Sequence, residues 1–274
     1  MNRTVRAFVF DLGNTLWFEA VAPDLDRIFA MQAIALAPLV DSWQIPLREP
    51  LDAVAREIWH AWFQAERTER ERASLRDISL PFLIRGALAV RDIDITQGQA
   101  EAWWRTAQLP VREFGLQLYP DTIDVLRELK SAGMRIGINT TRPFTGAMME
   151  GDLRDLGFGP YIDLKAVVCS GDTGYVKPHP STFELVLSRL GVAAEDAVMV
   201  GDDAAGDMRG GRQAGMATVW KLNGRYDPPP CPEADYQIHD LAELLSLPLL
   251  DRPPAAAPYT ESLTPHEDAN AERY

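Results

Sequence analysis

At 274 residues the chain exceeds a typical single domain and falls short of two full-sized ones, so one core domain with an inserted or appended unit is expected. Apolar residues at 46% and charged residues at 24% are globular proportions, and a formal net charge of −13 excludes nucleic acid and anionic lipid as natural partners, since both are repelled. Only Cys169 and Cys231 are present, which excludes a disulfide framework or a cysteine-built zinc site, and no apolar run is long enough for a signal-peptide core or a membrane span, so the cytoplasm is the expected location.

Along the chain, Val5 to Phe10 (VRAFVF) reads as a short buried strand, followed at once by the polar, glycine-containing turn Asp11 to Thr15 (DLGNT). From about Pro23 to about Leu109 long helical stretches take over, with Leu51, Val54, Ala55, Ile58, Trp59, Trp62 and Phe63 recurring at spacings of three and four on one helix face. From Tyr119 onward helix and strand signals alternate. A helix start at Pro120/Asp121 precedes the strand MRIGIN (Met134 to Asn139), and a helix near Asp152 precedes AVVC (Ala166 to Cys169). Ser181 to Leu190 is helical, AVMV (Ala197 to Val200) extended, Ala204 to Gly215 helical and ATVW (Ala217 to Trp220) extended. This alternation predicts an α/β fold, a Rossmann-like parallel sheet sandwiched by helices. Pro228 to Pro230 interrupt the chain, Tyr236 to Leu245 resume a strand-and-helix signal, and the stretch from Asp251, rich in Pro, Ala and polar residues, reads as a disordered tail. The expected division is a core of residues 1–17 and 115–250, a helical insert of 18–114 and a tail of 251–274.

In an open parallel sheet the loops after the strands converge on one crevice. Four loops fit that rule, carrying Asp11, then Thr140 and Thr141, then Lys177, then Asp202, Asp203 and Asp207. Several carboxylates at one crevice repel one another unless a cation sits among them, and hard oxygen ligands suit magnesium. Phosphoryl transfer needs an in-line nucleophile, cations to offset the equatorial oxygens and donors to fix the group, and these residues supply such parts.

The ordered motifs FDLGNTL (Phe10 to Leu16), IGINTT (Ile136 to Thr141), GYVKPHP (Gly174 to Pro180) and VGDDAAGDMRGG (Val200 to Gly211) resemble those of the haloacid dehalogenase-like superfamily, over roughly Val5 to Leu247. The resemblance implies a magnesium-dependent phosphatase acting on a small phosphorylated metabolite. Asp11 would attack phosphorus to give a phosphoaspartate, and Asp11, the Gly13 carbonyl and Asp202 would hold magnesium, with Asp207 supporting it directly or through water. Thr140 would bond a phosphoryl oxygen and Lys177 would offset the charge of nucleophile and phosphate. The helical insert matches the place of the family's α-helical cap, which closes over substrate and selects the leaving group.

The family's phosphatases usually carry an acid/base aspartate two residues after the nucleophile, where this chain has Gly13. The loss removes a factor of roughly 10² to 10⁴ available from general acid–base catalysis. Asn14 has no titratable proton, which leaves Asp203 or the substrate as the source. Two other readings stand beside phosphatase: a carbon–halogen hydrolase, which the cluster of Asp202, Asp203 and Asp207 disfavours, and a silent binding protein, which only Gly13 favours. Trp17 and Arg142 lie within reach of a substrate with Thr141, and Arg142 could hold a second anionic group or form a salt bridge near the loop. Trp59, Trp62, Phe63, Trp103 and Trp104 are read as packing of the insert rather than a stacking surface, His60 as a surface or packing residue, and His179 as a loop-shaping one.

Overall fold

The computed structural model describes residues 5–223 and 231–250. The expected tail of 251–274 and the Pro228 to Pro230 interruption lie outside the described residues. In chain order the elements are β1 (Ala7–Phe10), β2 (Trp17–Glu19), the helices α1 (Leu25–Ser42), α2 (Leu51–Glu71), α3 (Leu80–Ala89) and α4 (Gln97–Ala107), then β3 (Leu116–Leu118), α5 (Thr122–Ser131), β4 (Arg135–Thr140) and α6 (Gly146–Asp155). They are followed by β5 (Val167–Cys169), α7 (Ser170–Thr173), α8 (Pro180–Leu190), β6 (Ala197–Gly201), α9 (Arg209–Ala214), β7 (Ala217–Lys221) and β8 (Tyr236–Ile238).

Six strands form one sheet in the order β5-β4-β1-β6-β7-β8, and every neighbouring pair is parallel. β1 is central, and all four of its side chains are buried. Because side chains alternate across a strand, Phe8 and Phe10 face one layer with Leu126, Leu129, Met149 and Leu153 of α5 and α6, while Ala7 and Val9 face the other with Phe183, Val186 and Leu190 of α8. Helices on both faces leave no wet side, which is why this strand reads as an unbroken apolar run rather than an alternating one. Phe10→Ala would cost about 3–5 kcal/mol, the range for truncating a buried aromatic.

The helices between β2 and β3 have a hydrophobic cluster of their own, built from Leu36, Val54, Ile58, Ile84, Leu88 and Trp103. Their ends follow local chemistry. Asp24 accepts the Arg27 N–H at the start of α1, Ser79 accepts from Phe82 before α3, and Thr96 and Gln99 form a reciprocal capping box at α4. β2 and β3 pair antiparallel, Trp17 opposite Leu118, and bracket these helices. This ribbon was not expected from sequence, because three-residue strands are too short to show a period. The stretch read as one helix from Ala204 to Gly215 also differs: it opens with a wide π-type turn over Ala204–Met208, in which the Asp207 and Met208 N–H groups both reach the Asp203 carbonyl at 2.8 and 3.2 Å.

Two seams join the helical region to the sheet domain. At one, the connection between α2 and α3 pairs antiparallel with the loop before α8, Val176 N–H to Leu75 O at 2.8 Å and Asp77 N–H to Gly174 O at 2.9 Å. At the other, the Trp104 ring stacks on Phe144 with centroids 5.0 Å apart and donates its indole N–H to the Pro143 carbonyl at 3.3 Å. No helix among the described residues is long and apolar enough to cross a membrane.

Candidate active site

β1, β4 and β6 run side by side, so their carboxyl ends deliver three segments to one place: Asp11 directly after β1, Thr140 as the last residue of β4, and Asp202 directly after β6. Lys177 arrives from the loop that precedes α8, whose first turn is fixed by Pro180 and by His179 accepting the Ser181 N–H. His179 thus shapes the loop, as its sequence context implied, and its ring stacks on Tyr175 at 3.8 Å.

The centre is a buried charge network. The Lys177 ammonium donates to Asp11 Oδ1 at 2.7 Å and to Asp207 Oδ1 at 2.5 Å, with the lysine and both aspartate side chains at least nine-tenths buried. Burial alone would make Lys177 release its proton more easily, but the Asp11 and Asp207 carboxylates outweigh that and hold it protonated far up the pH scale. Lys177 is therefore no solvated loop lysine. The second Asp207 oxygen accepts the Asp203 N–H at 3.1 Å. Gly201 makes room for this carboxylate, since a Cβ there would lie 2.2 Å from Asp207 Oδ2.

Oxygens of Asp11, Asp202 and Asp207 lie within 4.8 Å of one another, a set that can hold a metal ion. Three carboxylates against one ammonium leave a formal excess of two negative charges, which a divalent cation would neutralise, and Gly13, whose carbonyl is the fourth expected ligand, lies on the same turn. The strain of this clustering is visible in Asp202, whose carboxyl is pushed up to about 7 by burial and by the neighbouring Asp11 charge, with Lys177 and an Asn14 side-chain hydrogen bond pulling the other way. Burial likewise pushes Asp207 up against the pull of Lys177.

One cavity of about 1360 Å³ collects Asp11, Gly13, Thr140, Thr141, Arg142, Lys177, Asp202, Asp203 and Asp207 together with residues of the helical region. Thr140 is 4% exposed at its floor, whereas Thr141 is open to solvent. Arg142 forms no ion pair among the described residues, which removes the salt-bridge reading. Its carbonyl is pinned by the Ser170 hydroxyl at 2.5 Å, and its guanidinium lies 5.1 Å above the centroid of Trp17. Burial lowers the proton affinity of that guanidinium, opposed by the charges of Asp11 and Asp152. Trp17 itself is 1% exposed and stacked against Phe158, so it supports Arg142 instead of presenting a face of its own. Asp203 is exposed and held by its bond from the Ala205 N–H at 2.9 Å.

Sequence reasoning set Asn14 aside as an acid and missed its bond to Asp202. It also missed Trp220, whose indole N–H donates to the Asp202 carbonyl at 2.9 Å, and Lys221, which is 2% exposed and reaches the Asn14 carbonyl at 3.4 Å from above the Tyr119 ring. Only the position of Trp220 and Lys221 at the end of β7, next to β6, carries a signal for them.

A three-layer α/β sheet with this acidic and lysine-bearing crevice defines a class of hydrolase, and the profile of the haloacid dehalogenase-like hydrolases matches residues 5–215, so the chain belongs to that family. It is 38% identical over 133 residues to the glyceraldehyde 3-phosphate phosphatase of Methanocaldococcus jannaschii, covering 48% of this chain and 57% of that protein. It is 33% identical over 127 residues to the phosphoserine phosphatase of Thermus thermophilus, covering 46% of this chain and 49% of that one. The chain thus spans about half the length of these curated relatives. Among solved structures, a 2-haloacid dehalogenase of Pseudomonas syringae pv. tomato superposes with a TM-score of 0.56 at 23% identity, covering 88% of this chain and 97% of that chain, a likeness of fold.

Proposed function

We propose that this protein is a magnesium-dependent phosphatase that hydrolyses a small phosphorylated metabolite through a phosphoaspartate on Asp11. The observation that carries the proposal is the buried contact of Lys177 with both Asp11 and Asp207, beside a third carboxylate, Asp202. The phosphatase names of the relatives agree with it. Asp11, Asp202 and the Gly13 carbonyl would hold magnesium, with Asp207 supporting it directly or through water, and the ion would offset charge on the phosphoryl oxygens.

An Asp11 carboxylate oxygen attacks phosphorus, the ester P–O bond breaks, and the leaving oxygen departs with a proton taken from Asp203 or from the substrate itself. Water then cleaves the phosphoaspartate, releasing inorganic phosphate and restoring Asp11. Thr140 donates its hydroxyl to a phosphoryl oxygen, and Lys177 orients Asp11 while offsetting charge in the transition state. Thr141 and Arg142 contact the substrate beyond the phosphoryl group, Arg142 by clamping a second anion from its platform on Trp17. The helices of residues 18–114 act as a cap that excludes water, consistent with their side chains lining the cavity that contains Asp11.

The test is a screen of purified protein against phosphorylated metabolites and 2-chloropropionate, with magnesium and with chelator, alongside Asp11→Asn. Magnesium-dependent phosphate release, lost in Asp11→Asn, is expected. Chloride release without metal would replace the proposal with dehalogenation, and retained turnover in Asp11→Asn would remove the covalent mechanism.

A further inference from the structure

The helical periodicity of α2 marks Trp59, Trp62 and Phe63 as packing residues, and their inner edges do pack: Trp59 meets Phe29 edge-on at 6.3 Å, and Trp62 lies against the cluster of Val54, Ile58 and Trp103. All three also line the cavity that contains Asp11. The three rings touch one another, with centroids 5.5 Å apart for Trp59 and Trp62, 5.1 Å for Trp59 and Phe63, and 4.9 Å for Trp62 and Phe63, and so form one continuous apolar facet. Phe63 is 47% exposed and belongs to no packed cluster. An aromatic ring left this open on the wall of the nucleophile's own cavity is free to stack on a ligand.

The next acidic residues along the same helix that line the cavity are paired with arginines. Glu66 is engaged by Arg70 at 2.9 Å and Glu69 by Arg72 at 3.3 Å. A cavity of about 1360 Å³ also holds far more than a phosphoryl group, so the space beside the facet belongs to the leaving group.

On the reading of this site as a phosphatase, we infer that its substrates are phosphate monoesters whose leaving group carries a flat ring with an apolar face, and that Phe63, with Trp59 and Trp62 beside it, selects them. The preference is one of binding and is separate from leaving-group acidity, which concerns Gly13.

The test compares 2-phenylethyl phosphate with ethyl phosphate on the full-length enzyme with magnesium, because both leave as alkoxides of similar basicity and differ in the ring. Burying a phenyl group predicts a kcat/KM ratio of about ten to one hundred in favour of the ring-bearing ester. Phe63→Ala lowers that ratio by about three- to tenfold, mainly through KM, and Phe63→Leu, which keeps apolar area without a ring, falls between. Phe63 is half exposed, so neither change threatens the fold. A ratio near one in the wild type, or a ratio unchanged in Phe63→Ala, overturns the inference. Binding gives a readout independent of turnover: 1-naphthyl phosphate should quench the tryptophan fluorescence of Asp11→Asn at lower concentration than in the Asp11→Asn, Phe63→Ala double variant, whereas inorganic phosphate should not separate the two. If no phosphate ester is cleaved but this difference holds, the phosphatase reading fails and the ring site stands. If esters are cleaved and the difference is absent, the ring site fails alone.

Discussion

Gly13→Asp restores the carboxyl group that the family's phosphatases usually carry two residues after the nucleophile. The backbone permits it. No heavy atom lies within 4 Å of a Cβ built on Gly13, and its φ is not positive, the left-handed position in this turn being taken by Asn14 at φ 54°. Glycine is therefore not required there for conformation, and losing its freedom in the unfolded chain would favour the native state by about 0.4–1 kcal/mol. Against that stands one more negative charge beside Asp11 and Asp202, which magnesium would offset. A positioned acid contributes roughly 10²- to 10⁴-fold, or about 3–5 kcal/mol of barrier, where the leaving oxygen needs a proton. Ethyl phosphate leaves as a strongly basic alkoxide and should gain about 10²-fold or more, whereas 4-nitrophenyl phosphate, with a stable leaving anion, should gain less than about tenfold. Steady-state kcat for the two esters measures this, with circular dichroism and magnesium affinity confirming an intact fold and site. No gain in a folded protein that still binds magnesium would show that another group already supplies the proton, and equal gains for both esters would show that the new carboxyl acts otherwise than as the leaving group's acid.

Gly201→Ala should reduce kcat by at least about tenfold with little change in secondary structure, because the new methyl would lie 2.2 Å from Asp207 Oδ2 and force that carboxylate away from Lys177; kinetics with circular dichroism check it, and wild-type turnover would refute the packing argument. Magnesium should raise the melting temperature of the wild type and Asp202→Ala should abolish that rise; an unchanged magnesium response would move the metal site elsewhere. Lys221 is depressed from 10.5 to about 8 by burial, so the unfolded chain binds more protons than the native one between those values and stability should rise with pH across about 8 to 10.5. Lys221→Met should therefore flatten this rise of melting temperature with pH between about 8 and 10.5, as followed by thermal melts; an unchanged pH dependence would refute the burial argument.

The layered sheet and the loops that feed the site were legible because they rest on local rules. An apolar run such as Ala7 to Phe10 with no alternation requires cover on both faces, and polar residues placed directly after separate parallel strands must meet, which brought Asp11, Thr140 and Asp202 together on paper. Helix periodicity also located α2 and its apolar residues. It could not tell that Trp59, Trp62 and Phe63 also line the cavity, because a ring on a helix looks the same in sequence whichever neighbour covers it. Nor could spacing show that Arg142 rests over Trp17 instead of meeting a carboxylate, or that β2 and β3 pair across nearly one hundred intervening residues. The state of Lys177 was likewise beyond local pattern. A lysine in a proline-flanked loop is ordinarily solvated, and only the convergence of Asp11 and Asp207, 166 and 30 residues distant, turns it into the buried cation of the site. Charge and burial are set by groups that meet only when the chain folds.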